Sequence, residues 1–469
     1  WIHQEAMEAM GLPSFEERRE LGSAQARADR GLPEDQPIQA PGAMNPVVHP
    51  WVIPAAGSPV AEVFPAGVTA WMTLKLADET ARDQRVTVAV PAYEHRFDKS
   101  KQPGRGGWGG AQTPEILLDA LMVYLLSTLH GTQERPRVVP YYEGPNKTGE
   151  DFAGGRGKTE FLCRAVREGA VPPAAQGLRM MPLMVPQQWH RQASEEERAS
   201  AWLHRFDKTA AWLGAYGPTK LGIGEPTHGE EGTPFDKGMA GYWRLADVPG
   251  TGLAGLPEFQ FREMPEGGYW LATPSVELLM DEYREWTPKV LESWHWETSK
   301  AALSGMYKLL STSRNRIVAA IEDGRPGATW AKQVHGRIYQ SFRGYLSRRE
   351  HKTDHATGGD YTKDVYFRPD WAHMLMAHAT ANLYRGLAKF ARQDGRLPLS
   401  VYVDAATYAS DHADPMAAKP ASMEIGTSGR SWSIEGQAPM AELLALLDDP
   451  EHKNGAHAAL DRHMSERGE

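Results

Sequence analysis

The chain has 469 residues, 41% of them apolar and 24% charged, with a formal net charge of −9. That composition describes a globular chain with room for two or three domains, and the acidic balance excludes indiscriminate nucleic-acid binding through bulk positive charge. No apolar run reaches the roughly 18–20 residues of a membrane span, and no secretory leader is visible. A single cysteine, Cys163, excludes an intrachain disulfide and a cysteine-built zinc site, so a reducing cytoplasm is the expected location. The chain opens on Trp1 rather than Met, which reads as a fragment or a trimmed chain.

Residues 1–48 show one short helical pattern (14–30) and then the Pro/Gly-rich "GLPEDQPIQAPGAMNP", a tail or linker. Strand-like runs follow at 68–76 and 85–91, then the glycine-rich "GRGGWGG" (104–110) and a helix at 114–129 with an apolar stripe. Further strands are expected near 137–142 and 178–185. "SEEE" at 194–197 is a capping-box signature, Ser194 followed three residues on by Glu197. Short strands are expected at 241–246 and 268–272, and long helices at 276–292, 294–323, 329–347 and 369–393. The last leads into "LPLSVYVDAATY". The tail carries a glycine-rich hairpin candidate, "IGTSGRSWSIEG", and an acidic helix at 438–449.

The average charge hides an asymmetry. Residues 300–400 hold 17 Lys or Arg against 8 Asp or Glu, and a basic segment in an acidic protein reads as a local surface for an anionic ligand. Other signals are weak. "FAGGRGKT" (152–159) resembles a phosphate-binding loop, yet Phe152 stands where the motif needs its first glycine. The histidines at 351, 355, 373 and 378 lack partners at metal-site spacing. Asp78 and Glu79 are adjacent, unlike the spaced acidic pair of proofreading exonucleases.

Three separate segments do more together than alone: "RFDKTAAWLGAYG" with Asp207 and Trp212, "WAKQVHGRIYQSFRG" with Lys332, Gly336 and Tyr339 on one helical face, and "VYVDAATY" with Tyr402 and Asp404. Taken singly, Asp207 also reads as a helix cap, Lys332 and Tyr339 as ordinary amphipathic-helix residues, and Asp404 as an edge-strand or turn aspartate. Taken in order, they resemble motifs A, B and C of family-B DNA polymerases, especially the protein-primed ones. Those motifs run Asp-x-x-Ser-Leu-Tyr-Pro, Lys-x-x-x-Asn-Ser-x-Tyr-Gly and Tyr-x-Asp-Thr-Asp-Ser. The stretch "FRPDWAHMLMAHATANLYRGLAKFARQDGRLPLSVYVDAATYAS" is also similar to the telomere-associated proteins of actinobacterial linear chromosomes and plasmids, which bind terminal DNA and recruit a terminal protein.

The resemblance spans about residues 195–440 and implies a fold and a site. The fold is α+β: an antiparallel palm-like sheet from around 203–246, 268–273 and 398–436, a helical fingers-like insertion, and a separate N-terminal α/β domain. The implied domains are 1–48 (tail or linker), 49–190 (N-terminal α/β), 191–275 (palm, motif A-like), 276–350 (fingers-like, motif B-like), 351–437 (palm, motif C-like) and 438–469 (C-terminal helix and tail). Asp207 and Asp404 would hold Mg2+ as catalytic carboxylates, and Lys332, Tyr339, Trp212 and Tyr402 would contact a deoxynucleoside triphosphate (dNTP). Ala406 stands where the family has its second aspartate, which implies an incomplete metal site. DNA contacts are expected from Arg314, Arg316, Arg343, Arg348 and Arg349. The implied function is that of a DNA-end-binding replication or telomere factor of a linear replicon. It would be nucleoid-associated and act with a terminal protein on single-stranded or terminal DNA. An active nucleotidyltransferase and a non-enzymatic interaction protein are the alternatives.

Overall fold

The computed structural model of the chain describes residues 60–65, 71–76, 85–89, 114–132, 135–137, 183–346, 350–353, 360–363, 368–427, 431–447 and 455–467. The expectations for 1–48, 104–110, 152–159, Asp78, Glu79, Cys163, Arg348 and Arg349 lie outside these residues, as does the side chain of Arg343. The chain divides into two compact units, Trp1–Gly149 with Ala319–Ile338, and Glu150–Val318 with Tyr339–Glu469.

In the first unit β1 (Val60–Pro65), β2 (Trp71–Leu76) and β3 (Arg85–Ala89) form an antiparallel sheet in sequence order. Helix α1 (Pro114–Thr128) follows, then the hairpin of β4 (His130–Thr132) and β5 (Arg135–Arg137). Gly327 packs tightly on α1. Gly327 has φ 74°, and a Cβ there would lie 2.2 Å from the Ala120 backbone nitrogen, a distance no side chain tolerates.

The second unit begins with β6 (Gln188–His190), α2 (Glu195–Ala199), β7 (Trp202–Lys208) and α3 (Ala211–Tyr216). The capping box forms as expected: the Ser194 hydroxyl accepts from the Glu197 N–H, and the Glu197 carboxylate accepts from the Ser194 N–H. Next come β8 (Leu221–Gly222), β9 (Thr227–Gly229), β10 (Ala240–Leu245), β11 (Tyr269–Ala272), α4 (Thr273–Glu282), β12 (Val290–Trp296) and β13 (Ser299–Lys300). Helices α5 (Ser304–Glu322) and α6 (Ala328–Leu346), of which Ala319–Ile338 belong to the first unit, precede the hairpin of β14 (Glu350–Thr353) and β15 (Asp360–Lys363). The chain continues through α7 (Pro369–Asp394), β16 (Ser400–Tyr402), β17 (Ala405–Ser410), α8 (Pro415–Ala418), β18 (Trp432–Pro439), α9 (Met440–Leu447) and α10 (Gly455–Arg467).

The fold class is α+β with antiparallel sheets, but the expected single sheet is two. One has five strands in the order β18-β7-β17-β16-β6, and the other four in the order β11-β10-β12-β9. The run 290–296, expected as helix, is strand β12. α4 ends at Glu282, Pro288 disfavours helix at the residue just before it, and "VLESWHW" is rich in the apolar and aromatic types that suit a strand. α10 was not anticipated either.

Helix α7 is the central support. Pro369 occupies its first turn and Gly395 caps its end at φ 64°. Arg368 and Asp370, both buried, pair at its start, and Arg368 and Trp371 each donate to the Gly222 carbonyl at 2.8 Å. Its residues Leu383, Tyr384 and Leu387 share one core with Phe206, Ala406, Tyr408 and Trp432 of the five-stranded sheet and Trp243 of the four-stranded one. The other face of the five-stranded sheet, through Leu203, Leu399 and Ala438, buries Leu443 of α9 and Leu460 of α10. No described helix is long and apolar enough to cross a membrane.

Gly327→Ala is expected to cost roughly 2–4 kcal/mol, read as a lower urea midpoint. Gly324→Ala has a similar φ of 67° but open space around the new methyl. It is expected to cost only about 1–2 kcal/mol.

Candidate active site

Strand β7 lies between β17 and β18, so Asp207 near its end is flanked by Ala405 on one side and Ser433 on the other. Asp404 is not a mid-strand residue. It is the second of two turn residues joining β16 to β17, whose register pairs Tyr402 with Ala405. Its neighbour Val403 has φ 58°, a costly conformation for a β-branched side chain. Two backbone hydrogen bonds hold the turn there. The Val403 N–H donates to the Gln187 carbonyl at 2.6 Å, and the Lys208 N–H donates to the Asp404 carbonyl at 2.8 Å. The other described non-glycine residue at positive φ is Ala210 (φ 48°), which opens α3 just past Asp207. Thr209 between them is buried and fixed by its N–H to the Ser431 carbonyl at 3.0 Å and its hydroxyl to the Gly426 carbonyl at 3.1 Å. Both strained residues flank the acidic pair.

The two half-buried carboxyls meet in a hydrogen bond. Burial, then the charges of Asp404 and Glu435 and the hydrogen bond that protonated Asp207 donates to Asp404, push Asp207 up to about 8, against a smaller opposing pull from Arg205. Like charges in contact cannot both ionise cheaply, so one proton stays with the pair at neutral pH. Strand β18 shifts register between Ile434 and Gly436, which leaves Glu435 as the extra residue of a bulge. Gly436 leaves room for Met464 of α10, whose sulfur would lie 2.5 Å from an added Cβ. Glu435 sits 2.8 Å from the buried Arg205 guanidinium, which also pairs with Asp461 of α10.

Tyr339, in the last turns of α6, faces the pair. Its phenol is buried and pushed up to about 12, first by burial and then by the charges of Asp404 and Asp207, with Arg314 opposing through charge and a hydrogen bond. The Tyr216 hydroxyl of α3 donates to the Tyr339 carbonyl at 2.5 Å and its ring packs edge-on to Phe342 at 5.8 Å, which seats this part of α6.

Asp207, Asp404, Tyr339 and Arg314 therefore converge. Arg314 is not the expected surface contact for DNA: it is 8% exposed and donates to the Thr427 carbonyl. Arg316 is exposed. Lys332 is exposed and belongs to the first unit. Trp212 is buried in α3. Tyr402 stacks on His457 of α10, with ring centroids 4.4 Å apart and planes at 18°. The role expected for Ala406 changes. Strand alternation pairs it with Phe206, so it points into the core at 0% exposure, while Ala405 shares the face of Asp207. A carboxylate at 406 would not reach the pair in this register. Arg205 was missed, although its place two residues before Asp207 puts it on the same strand face.

Small divalent cations take oxygen ligands, commonly one or two carboxylates completed by water and substrate phosphates. Two touching carboxyls that retain a proton fit one such ion, which would replace the proton. Among the described residues no three His, Cys, Asp or Glu side chains are placed to hold a metal ion.

No protein-family model and no curated protein matches the chain. Among solved structures it is similar to Phi29 DNA polymerase. The complex with primer-template DNA and incoming nucleotide is matched with a TM-score of 0.43 at 11% identity, over 63% of this chain and 53% of that one. The binary complex with primer-template DNA gives a TM-score of 0.41 at 12% identity, over 79% and 68%. The complex with single-stranded DNA gives 0.41 at 12%, over 78% and 67%. The chain thus spans about half the length of the first of these. What the site can do follows from its own side chains.

In chelator, stability is expected to fall as pH rises from about 4 to about 8, because Asp207 holds its proton more tightly folded than unfolded. Asp207→Asn should flatten that slope and raise stability near pH 8 by roughly 1–3 kcal/mol, allowing for solvent at a half-buried group. Denaturant titrations across that range check it. Ala406→Asp should lower stability by roughly 3–5 kcal/mol with no gain in cation binding, since the new carboxylate meets Phe206.

Proposed function

We propose that the chain is a DNA-binding, polymerase-related protein whose Asp207–Asp404 pair holds one divalent cation, such as Mg2+, against a phosphate of DNA or of a bound nucleotide. The observation that carries this is the meeting of side chains from three distant segments. Asp207, Tyr339 and Asp404 are three of the residues that the sequence motifs single out, and they gather at one half-buried point. Perturbed carboxylates of this kind concentrate where charge is put to use, and two strained backbone positions beside them support the same reading.

When bound, a cation there would neutralise phosphate charge and orient the phosphate for attack. The chain's own part is to hold two carboxylates in contact, to wall the site with Tyr339, and to keep Arg205 and Glu435 tied to each other beside it. One ion suits binding and positioning of a strand end better than processive synthesis, where two ions share the attacking and leaving oxygens. Action at the ends of a linear replicon, with a terminal protein as partner, is the form of this proposal that the motif C-like segment favours. A second reading, nucleotidyl transfer from a dNTP to a protein or DNA hydroxyl, draws on the same acidic pair.

Binding of a single-stranded 3′-end to the whole chain, followed by fluorescence anisotropy, tests the proposal. Binding is expected to weaken steeply with salt and to strengthen with Mg2+ in the parent chain only, with Asp207→Asn and Asp404→Asn losing the Mg2+ response. Equal response in the variants sinks the cation role. Metal-dependent dNTP incorporation that Asp207→Asn abolishes establishes the second reading instead.

A further inference from the structure

The acidic pair explains one side of the site. The other side is Arg314 on α5, which makes no ion pair with a described carboxylate. Arg314 is 8% exposed, and its guanidinium donates to the Thr427 carbonyl and bonds the Tyr339 phenol. Both partners are neutral. Among the described residues no carboxylate lies within ion-pairing distance of it, in contrast to the other two buried arginines. Arg205 has Glu435 and Asp461, and Arg368 has Asp370.

A guanidinium cannot shed its proton, and burying it without a counter-charge is costly. Such groups persist where an anion completes them. The planar fork of donors is well matched to phosphate oxygens. Position narrows the choice. Tyr339 touches Arg314 and also feels the charges of Asp207 and Asp404, so the arginine and the acidic pair converge on the same phenol. An anion between them would meet the guanidinium on one side and a carboxylate-bound cation on the other.

We propose that Arg314 is the anion-binding residue of this site, its buried guanidinium receiving a phosphate group from the side opposite Asp207 and Asp404. This deepens the reading of the pair as a cation site and rests on it for the second contact. It also gives the chain a way to supply two positive charges to one phosphate group with carboxylates for only one ion. Arg314, rather than the exposed Lys332, then provides the fixed charge.

The probe is inorganic pyrophosphate, titrated calorimetrically into the whole chain with and without Mn2+, while Mn2+ binding alone is followed by electron paramagnetic resonance. Arg314→Met is expected to weaken pyrophosphate binding at least about tenfold and to leave Mn2+ binding unchanged, with Arg314→Lys recovering part of the affinity. Pyrophosphate affinity unchanged in a folded Arg314→Met overturns the proposal and shows the arginine to be structural. Should that variant not fold, the parent chain decides. Pyrophosphate is expected to protect Arg314 from phenylglyoxal, mapped by mass spectrometry, and equal labelling with and without it overturns the proposal. Failure of the parent chain to bind Mn2+ sinks the cation reading alone, because pyrophosphate binding through Arg314 is still read without metal.

Discussion

Two carboxyls of like charge, held in contact in a half-buried place, are the constraint around which the second unit is arranged. Left to themselves, Asp207 and Asp404 would swing apart into water, since their repulsion is felt strongly where water is scarce. The backbone prevents it. Asp404 is set by a two-residue turn whose first residue, Val403, is kept at φ 58° by hydrogen bonds to Gln187 and, through Asp404, from Lys208. Asp207 is set by a strand clamped between two others and by Thr209, which is tied to the 426–431 segment. The energy that maintains this comes from elsewhere, chiefly the aromatic and aliphatic core that α7 shares with both sheets.

The five-stranded sheet divides the labour between its faces. The Phe206 and Ala406 face is apolar and sealed, while the Asp207 face carries Tyr402, Arg205 and Glu435 and is covered in part by α10. Period-two alternation makes this separation sharp. Ala405 and Ala406 are chemically identical neighbours, yet one borders the acidic pair and the other belongs to the core. The bulge at Glu435 is a local exception to the alternation. It brings a third carboxylate to the acidic face, where Arg205 engages it and its charge adds to the field on Asp207.

Much of the helical part was legible from periodicity and punctuation. The helices at 114–128 and 369–394 and the cap at Ser194 follow from apolar stripes, Pro at a first turn and Gly at an end. The strand at 290–296 was not legible as a strand, because an apolar, aromatic run of that length suits either element until a partner strand is known. The division into two sheets was hidden for the same reason, since strand partners are chosen by long-range packing and not by local composition.

At the site, the sequence by itself singled out two aspartates and a tyrosine in motif-like surroundings, and a basic stretch over 300–400. These are matters of residue type and spacing, which the chain carries locally. Only the tertiary structure decided that Asp404 lies in a turn, that Ala406 faces the core, that Arg314 is buried beside Tyr339, and that Tyr402 is taken up by His457. The physical reason is that burial and charge pairing depend on which segments meet across about 200 residues of chain. A register shift of one residue exchanges the two faces of a strand without altering its composition.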